Sequence, residues 1–335
     1  MIRTSVFFHC GLTDSNPGRD LAPRSVRETD ADDVSIDTDT PVIIDTGPAV
    51  RLITIDWNLT LEPRLVRIEE GTIAYVVTGE GPPLILLHGF GGEIWMWEKQ
   101  IAALSKRYRL YIPDLLGYGY SDRPKVDYTP SLFIDMIRQF MERLGVSRAG
   151  LIGNSMGGGI AWAFALAYPE RVDKLVLIDS IPPQVIPAVR NPLFRWFLAI
   201  RHVPLLPYVA VALRTRRMVR IALTQVVYDD RLITDEVVER QYRTSRIAGT
   251  ARVIASTVRH TDEVARYADA LTSLPTPTLI IWGEKDELFP VEVGKQLHAS
   301  IRNSRLVVIK DSGHMPMWET PDETNRTILE FLDGK

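Results

Sequence analysis

Gly153-Asn154-Ser155-Met156-Gly157 follows an apolar run, Ala149 to Ile152, and leads into an Ala-rich helical pattern that reaches Tyr168. A serine at the apex of a strand, a sharp turn and a helix is placed for nucleophilic attack. The turn lifts Oγ out of the sheet, and the flanking glycines let neighbouring backbone pass without a Cβ clash. The helix start aims free N–H groups and a partial positive charge at any oxyanion formed beside the serine. A serine hydroxyl also needs a base, and the base needs an orienting acid. Among six histidines, His9 lies near the N-terminus, and His202, His260 and His298 sit within helical patterns. His314, in Asp311-Ser312-Gly313-His314 directly after an apolar strand, is the expected base.

For the acid, Asp286 is expected, on the loop Trp282-Gly283-Glu284-Lys285-Asp286 that follows the preceding strand. Glu284 and Glu287 read as solvated loop charges. Asp179, directly after the strand Lys174–Ile178, is the competitor, and loop position favours Asp286 over it. The order Ser155, Asp286, His314 is the chain order such an arrangement takes. Two backbone N–H groups should hold an oxyanion, one from Met156 and one from Phe90 in His88-Gly89-Phe90-Gly91-Gly92. His88 ends a buried strand before a glycine turn and reads as a structural histidine bonded to backbone. Trp95 and Trp97 read as helix packing. Serine chemistry of this kind needs no metal and no organic cofactor, and none is expected.

The elements that must position these residues are short apolar strands alternating with helices. Arg64–Ile68 and Thr72–Thr78 read as a hairpin, and Leu84–Leu87, Arg109–Ile112, Ala149–Ile152, Lys174–Ile178, Thr278–Trp282 and Leu306–Ile309 as strands. Helical spacing covers Ile94–Leu104, Ser131–Leu144, the stretch after Ser155, and Asp322–Leu332. The fold class is α/β, a mostly parallel sheet covered by helices on both faces. Working residues then belong at the carboxyl ends of its strands. Residues 61–180 and 275–335 make the core. Residues 181–274, mainly helical, make a lid inserted between two sheet strands.

Of the 335 residues, 45% are hydrophobic and 24% charged, enough to bury a large core. A net charge of −3 gives no reason to expect nucleic acid as a partner. The single cysteine, Cys10, excludes an internal disulfide and a cysteine-rich metal site. Residues 1–60 form an acidic extension, expected to be largely disordered or draped over the domain. Val6-Phe7-Phe8 is too short for a signal-peptide apolar region, no small-x-small site follows, and His9 before Cys10 is unlike a lipoprotein site. No run is apolar and long enough to span a membrane. The expected location is cytoplasmic.

Together these blocks resemble the α/β-hydrolase family from about Arg64 to Leu332. The resemblance rests on His-Gly-Phe-Gly-Gly at 88–92, Asp114 to Asp122, Gly-Asn-Ser-Met-Gly-Gly at 153–158, the Trp-Gly-x-x-Asp block and Ser-Gly-His. It implies a serine hydrolase working through an acyl-enzyme, with Asp114–Asp122 shaping the loop beside the site. Serine at the elbow is unlike the dehalogenase and epoxide hydrolase branches, which carry aspartate there. Two serine branches stay open. Esterases and monoacylglycerol-type lipases share both glycine-rich blocks. Meta-cleavage product hydrolases, which split a carbon–carbon bond beside a ketone, share the second. Those typically show a Gly-Pro-Gly oxyanion loop and a tryptophan after the histidine, whereas here Phe90-Gly91-Gly92 and Met315 stand. Ester hydrolysis is therefore favoured, with apolar medium-chain or aromatic esters as small-molecule substrates. A ligand-binding homologue that has lost catalysis is a third reading, against which the apparently complete triad argues.

Between Gln184 and Leu223 the lid carries seven arginines and no Asp or Glu, interleaved with Phe194, Trp196, Phe197, Leu205, Leu206, Tyr208, Val209 and Val211. Apolar faces covering the site, with solvated arginines whose stems lie over apolar surface, account for most of this. The sharper expectations are peripheral contact with anionic lipid, or one arginine receiving a substrate carboxylate. The oligomeric state is not legible.

Overall fold

In a computed structural model, the described residues are 61, 63–203 and 205–334, preceded by the backbone of three short strands, β1 (Val34–Ser35), β2 (Val42–Ile44) and β3 (Arg51–Ile53). The rest of the acidic extension, Cys10 included, lies outside the described residues. The main sheet then takes up β4 (Pro63–Arg67), β5 (Thr72–Thr78), β6 (Pro83–Leu87), β7 (Arg109–Pro113), β8 (Ala149–Asn154), β9 (Val172–Ile178), β10 (Thr278–Gly283) and β11 (Ser304–Ile309). Its order is β1-β4-β5-β7-β6-β8-β9-β10-β11. The hairpin β4–β5 pairs antiparallel with Leu65 opposite Ala74, and β5 runs antiparallel to β7. From β7 to β11 every neighbour is parallel.

Strands buried on both faces must be apolar at consecutive positions, and alternate residues then feed opposite layers. Ile85, Leu87, Leu151, Leu175, Leu177 and Ile280 pack with Phe133, Ile137, Ile160 and Phe164 of the helices Pro130–Arg143 and Met156–Ala167. Their neighbours Leu84, Leu86, Ile152, Val176, Leu279 and Ile281 face the other way, where Leu104 and Ile328 come from the helices Glu98–Leu104 and Pro321–Leu332. The helical spacing over Ile94–Leu104 divides into a 3-10 turn, Ile94–Trp97, and a regular helix from Glu98. Thr129 caps Pro130–Arg143 by accepting from the Leu132 N–H, with proline in the first turn, where no donor is needed.

Between β9 and β10 the chain builds helices instead of strands. They include Pro192–Ala199, Leu206–Ala212, Arg216–Thr224, Asp235–Ser245 and Thr250–Arg259. Asn191, Thr215 and Thr234 cap three of them through their side-chain oxygens.

Packing is close where the helix Met156–Ala167 meets β6. A Cβ on Gly157 would stand 2.1 Å from the Leu87 carbonyl oxygen and 2.6 Å from that of His88, both backbone atoms with no room to yield. Gly145, just past the end of Pro130–Arg143, has φ +65 and open space around the missing side chain. Gly145→Ala should therefore cost only the strain of a left-handed alanine, about 1–2 kcal/mol. Gly157→Ala should destabilise by more than about 3 kcal/mol or prevent folding. Urea unfolding of the two variants checks the contrast.

Candidate active site

Ser155 sits between β8 and its helix with φ +53 and ψ −117, a strained conformation for a non-glycine residue, of order 1–3 kcal/mol. Its backbone holds the turn. The N–H donates to the Ile178 carbonyl at 3.0 Å, and the carbonyl accepts from Gly159 and Ile181, both at 3.1 Å. A Cβ at Gly153 would come within 2.3 Å of the Gly157 carbonyl, so the turn closes only with glycine at that flank. Ser155 stays 7% exposed, at the wall of a cavity.

The loop after β11 brings His314 beside this elbow. The Asn154 side-chain amide donates to the His314 carbonyl at 3.1 Å, and the His314 N–H donates to Val226 of the insertion at 3.1 Å. Nδ1 of His314 lies 2.7 Å from Oδ2 of Asp286, and both side chains are buried. Oδ1 of Asp286 accepts from the Leu288 and Phe289 N–H groups at 2.8 and 3.0 Å, which aims Oδ2 at the ring. The ring's other nitrogen, Nε2, is buried and has no hydrogen-bond partner among the described residues. An imidazole so held presents one nitrogen able to take a proton.

Asp179, the competing acid, ends β9 with φ +42 and accepts from the Gly283 N–H through Oδ1 at 2.9 Å. Its Oδ2 is buried without a partner beside Asp286. Burial, then the neighbouring Asp286 charge, raise the Asp179 pKa well above the usual carboxylate range. The nitrogen of His314 thus finds Asp286, with Asp179 behind it, its carboxyl held from ionising as readily as an exposed one. Asp179, Asp286 and His314 are also the metal-ligating types brought together among the described residues. Three of their four carboxyl oxygens are already engaged by N–H donors.

Phe90 and Met156 line the same cavity as Ser155. Met156, first in its helix, has no carbonyl one turn back to occupy its N–H. His88 is fixed by backbone on both nitrogens: Nδ1 lies 2.8 Å from the Gly89 carbonyl, and Nε2 accepts from the Leu115 N–H at 2.9 Å. Burial lowers its pKa to about 4, so it is a neutral strut. Trp97 is fully buried, and Trp95 packs edge-on against Trp318 at 5.8 Å between ring centroids.

Three positioning contacts escaped the sequence. Glu319 accepts through Oε1 from the N–H groups of Gly313 at 2.9 Å and Met315 at 3.2 Å, gripping His314 from both sides. Glu93 is buried just after the Phe90-Gly91-Gly92 loop and accepts from the Thr244 hydroxyl of the insertion, while Gln241 donates to the Gly91 carbonyl at 2.7 Å. An acid directly before the apolar run Ile94 to Trp97 was the available signal. Third, His260 reaches the cavity wall from a helix end, its Nδ1 2.5 Å from Glu263.

The cavity holds about 890 Å³ of space, part of it open to solvent. Phe133, Ile160 and Ala163 line it from the core, and Val189, Phe194, Phe197, Leu198 and Val264 from the insertion. No arginine or lysine lines it, so the carboxylate-receiving arginine expected of the insertion is not at this wall.

The model of the family described as the alpha/beta hydrolase fold matches residues 82–321. The chain belongs to the α/β-hydrolase family. It is 32% identical to a 2-hydroxy-6-oxononadienedioate/2-hydroxy-6-oxononatrienedioate hydrolase of Burkholderia vietnamiensis, over 79% of this chain and 93% of the relative. A solved meta-cleavage product hydrolase, CumD, matches with TM-score 0.71 and 31% identity, over 81% of this chain and 98% of that one. A thermophilic esterase from Thermogutta terrifontis matches with TM-score 0.65 and 28% identity, over 79% and 94%. Hydrolase activity runs through these relatives, on different bonds.

Within this α/β hydrolase the Glu93 contact predicts a pH dependence. Burial and the nearby Asp114 charge raise the Glu93 pKa from 4.5 to about 8. Between those values the folded protein holds a proton that the unfolded chain has released, so stability falls as pH rises through the window. Glu93→Gln should flatten the fall. Melting temperatures of both proteins from pH 5 to 8.5 check this, and parallel curves would remove Glu93 as its source.

Proposed function

We infer that the chain is a serine hydrolase that cuts carboxylic esters carrying apolar acyl or aromatic groups, through an acyl-enzyme. The observation that carries this reading is the cavity at Ser155. Its wall is apolar apart from Ser155, Tyr128, Thr257, His260 and Thr261, and among the described residues it holds no arginine or lysine for a charged substrate. An acyl chain or aromatic ring gains about 25 cal/mol per Å² on leaving water for such a wall, whereas a carboxylate without a partner there loses.

In the reading, Ser155 Oγ attacks the ester carbonyl while Nε2 of His314 takes its proton. Asp286 keeps the imidazole in the tautomer that presents Nε2 and stabilises its charged form. The N–H groups of Phe90 and Met156 receive the oxyanion. Collapse expels the alcohol with the proton from His314. Water, activated by the same nitrogen, then releases the acid and restores Ser155.

Carbon–carbon hydrolysis is the second reading, favoured by the likeness to relatives named for dienedioates and meta-cleavage products. A dienedioate brings two carboxylates, and a wall of described residues without arginine or lysine weighs against receiving one there. A p-nitrophenyl ester chain-length series assayed beside a dienoate meta-cleavage product separates the two. Ester turnover peaking at a medium chain, with little attack on the dienoate, is expected; preferential dienoate cleavage overturns the ester reading.

Labelling by a fluorophosphonate probe should occur in the parent and vanish in Ser155→Ala, while a parent that resists labelling would be a binding homologue. Ser155→Ala should lose about 10⁵-fold or more in kcat with its unfolding midpoint little changed. Asp286→Asn should lose about 10⁴-fold. Asp179→Asn, which keeps a side-chain oxygen to accept from the Gly283 N–H, should stay within about tenfold of the parent. The reverse ranking of the two would give Asp179 the orienting role.

A further inference from the structure

The outer surface of the insertion is more apolar than a soluble protein needs. Apart from Val126 and Val308, every large apolar side chain exposed among the described residues falls between Leu193 and Tyr228. The helix Pro192–Ala199 shows how this arises. Phe194, Phe197 and Leu198 turn inward to line the cavity, and Leu193 and Trp196 point out, Trp196 at 53% exposed. The helix Leu206–Ala212 buries Pro207 and Val211 and leaves Leu206, Tyr208 and Val209 outside. Arg216–Thr224 buries Val219 and leaves Met218 and Ile221 outside. Leu205, before the second of these helices, is 73% exposed at φ +61, a left-handed leucine with little packing to offset its strain.

Charge on the same stretch has one sign. Arg201, Arg216 and Arg220 pair with Asp262, Glu239 and Asp235. Arg190, Arg195 and Arg217 are exposed and have no carboxylate partner among the described residues. Exposed Leu, Trp and Tyr interleaved with unpaired arginine is the composition of surfaces that enter the headgroup boundary of a bilayer. Arginine there meets lipid phosphate, and an anionic leaflet adds long-range attraction. No helix of the described residues is long and apolar enough to cross a membrane, so contact through this face would be peripheral.

We propose that the outer face of the insertion, Leu193 to Ile221, docks on an anionic lipid surface. Leu193, Trp196, Leu205 and Leu213 enter the headgroup–acyl boundary, and Arg195 and Arg217 sit on phosphates. Because Pro192–Ala199 carries Trp196 outward and Phe194 and Phe197 inward, docking bears directly on a wall of the cavity.

The test uses the full chain and sedimentation with vesicles of pure phosphatidylcholine or of phosphatidylcholine with 30% phosphatidylglycerol, the mole fraction set at about the anionic content that gives a strong surface potential. Recovery with the anionic vesicles only, decreasing with salt, is expected. Arg195→Gln and Arg217→Gln should each weaken partitioning about fivefold. Trp196→Ser with Leu205→Ser should abolish it. All these variants should keep the parent's melting temperature, which shows that they fold. Equal recovery with both vesicles, or none with either, overturns the proposal. So does a dimer in solution that the Trp196→Ser, Leu205→Ser variant dissolves, since a second copy would then cover this face. Sedimentation does not depend on turnover, so this result stands apart from the ester reading.

Discussion

The closeness of one helix to one sheet governs the geometry of this molecule. Met156–Ala167 lies so near β6 that the Leu87 carbonyl occupies the space where a Gly157 side chain would begin. That approach forces the chain to leave β8 through a left-handed residue, and the residue placed there is Ser155. The strain is held by three backbone hydrogen bonds and by cores on both sheet faces, where a fully buried Leu or Ile contributes about 1.5–3 kcal/mol. The same closeness sets the Met156 N–H at a helix start beside the serine and puts Asn154 within reach of the His314 carbonyl. A helix one methyl further out would relax the turn and loosen all of these positions together.

Around that turn the protein buries acids and then decides their state by what surrounds them. Asp286 is satisfied by three N–H groups, two backbone and one imidazole. Asp179 has one donor and a carboxyl neighbour, so burial and that neighbour raise its pKa well above the usual carboxylate range. Glu93 and Asp114, raised to about 8 and about 7, join the Phe90-Gly91-Gly92 loop to the loop after β7 and to Thr244 of the insertion. Low dielectric makes each of these contacts stronger and each unmet one more costly. The consequence is that the His314 imidazole and the backbone around it are held in place by buried contacts.

The insertion follows a different logic. Its short helices have too little area to bury all their apolar residues, and several are apolar on two faces. One face closes the cavity over Ser155; the other is left in water with arginines around it. In the core, by contrast, strands shed alternate residues into two layers and leave few large apolar groups outside.

Strand order along the chain, the hairpin, the elbow and the positions of Ser155, Asp286 and His314 were legible because each rests on a local pattern. Apolar runs of strand length, glycines at a turn and a loop after a strand are visible within a few residues. His88 was readable for the same reason, as a strand end before a glycine turn. The tertiary structure added the hydrogen bonds that put Asp286, already favoured by its loop, rather than Asp179 against the imidazole. It alone placed Glu319 on both sides of His314, Glu93 under Thr244, and His260 rather than an arginine at the cavity wall. These pairings join residues 4 to 151 positions apart or turn on which face of a short helix looks inward. Residue types declare what chemistry is possible; packing in three dimensions chooses the partner.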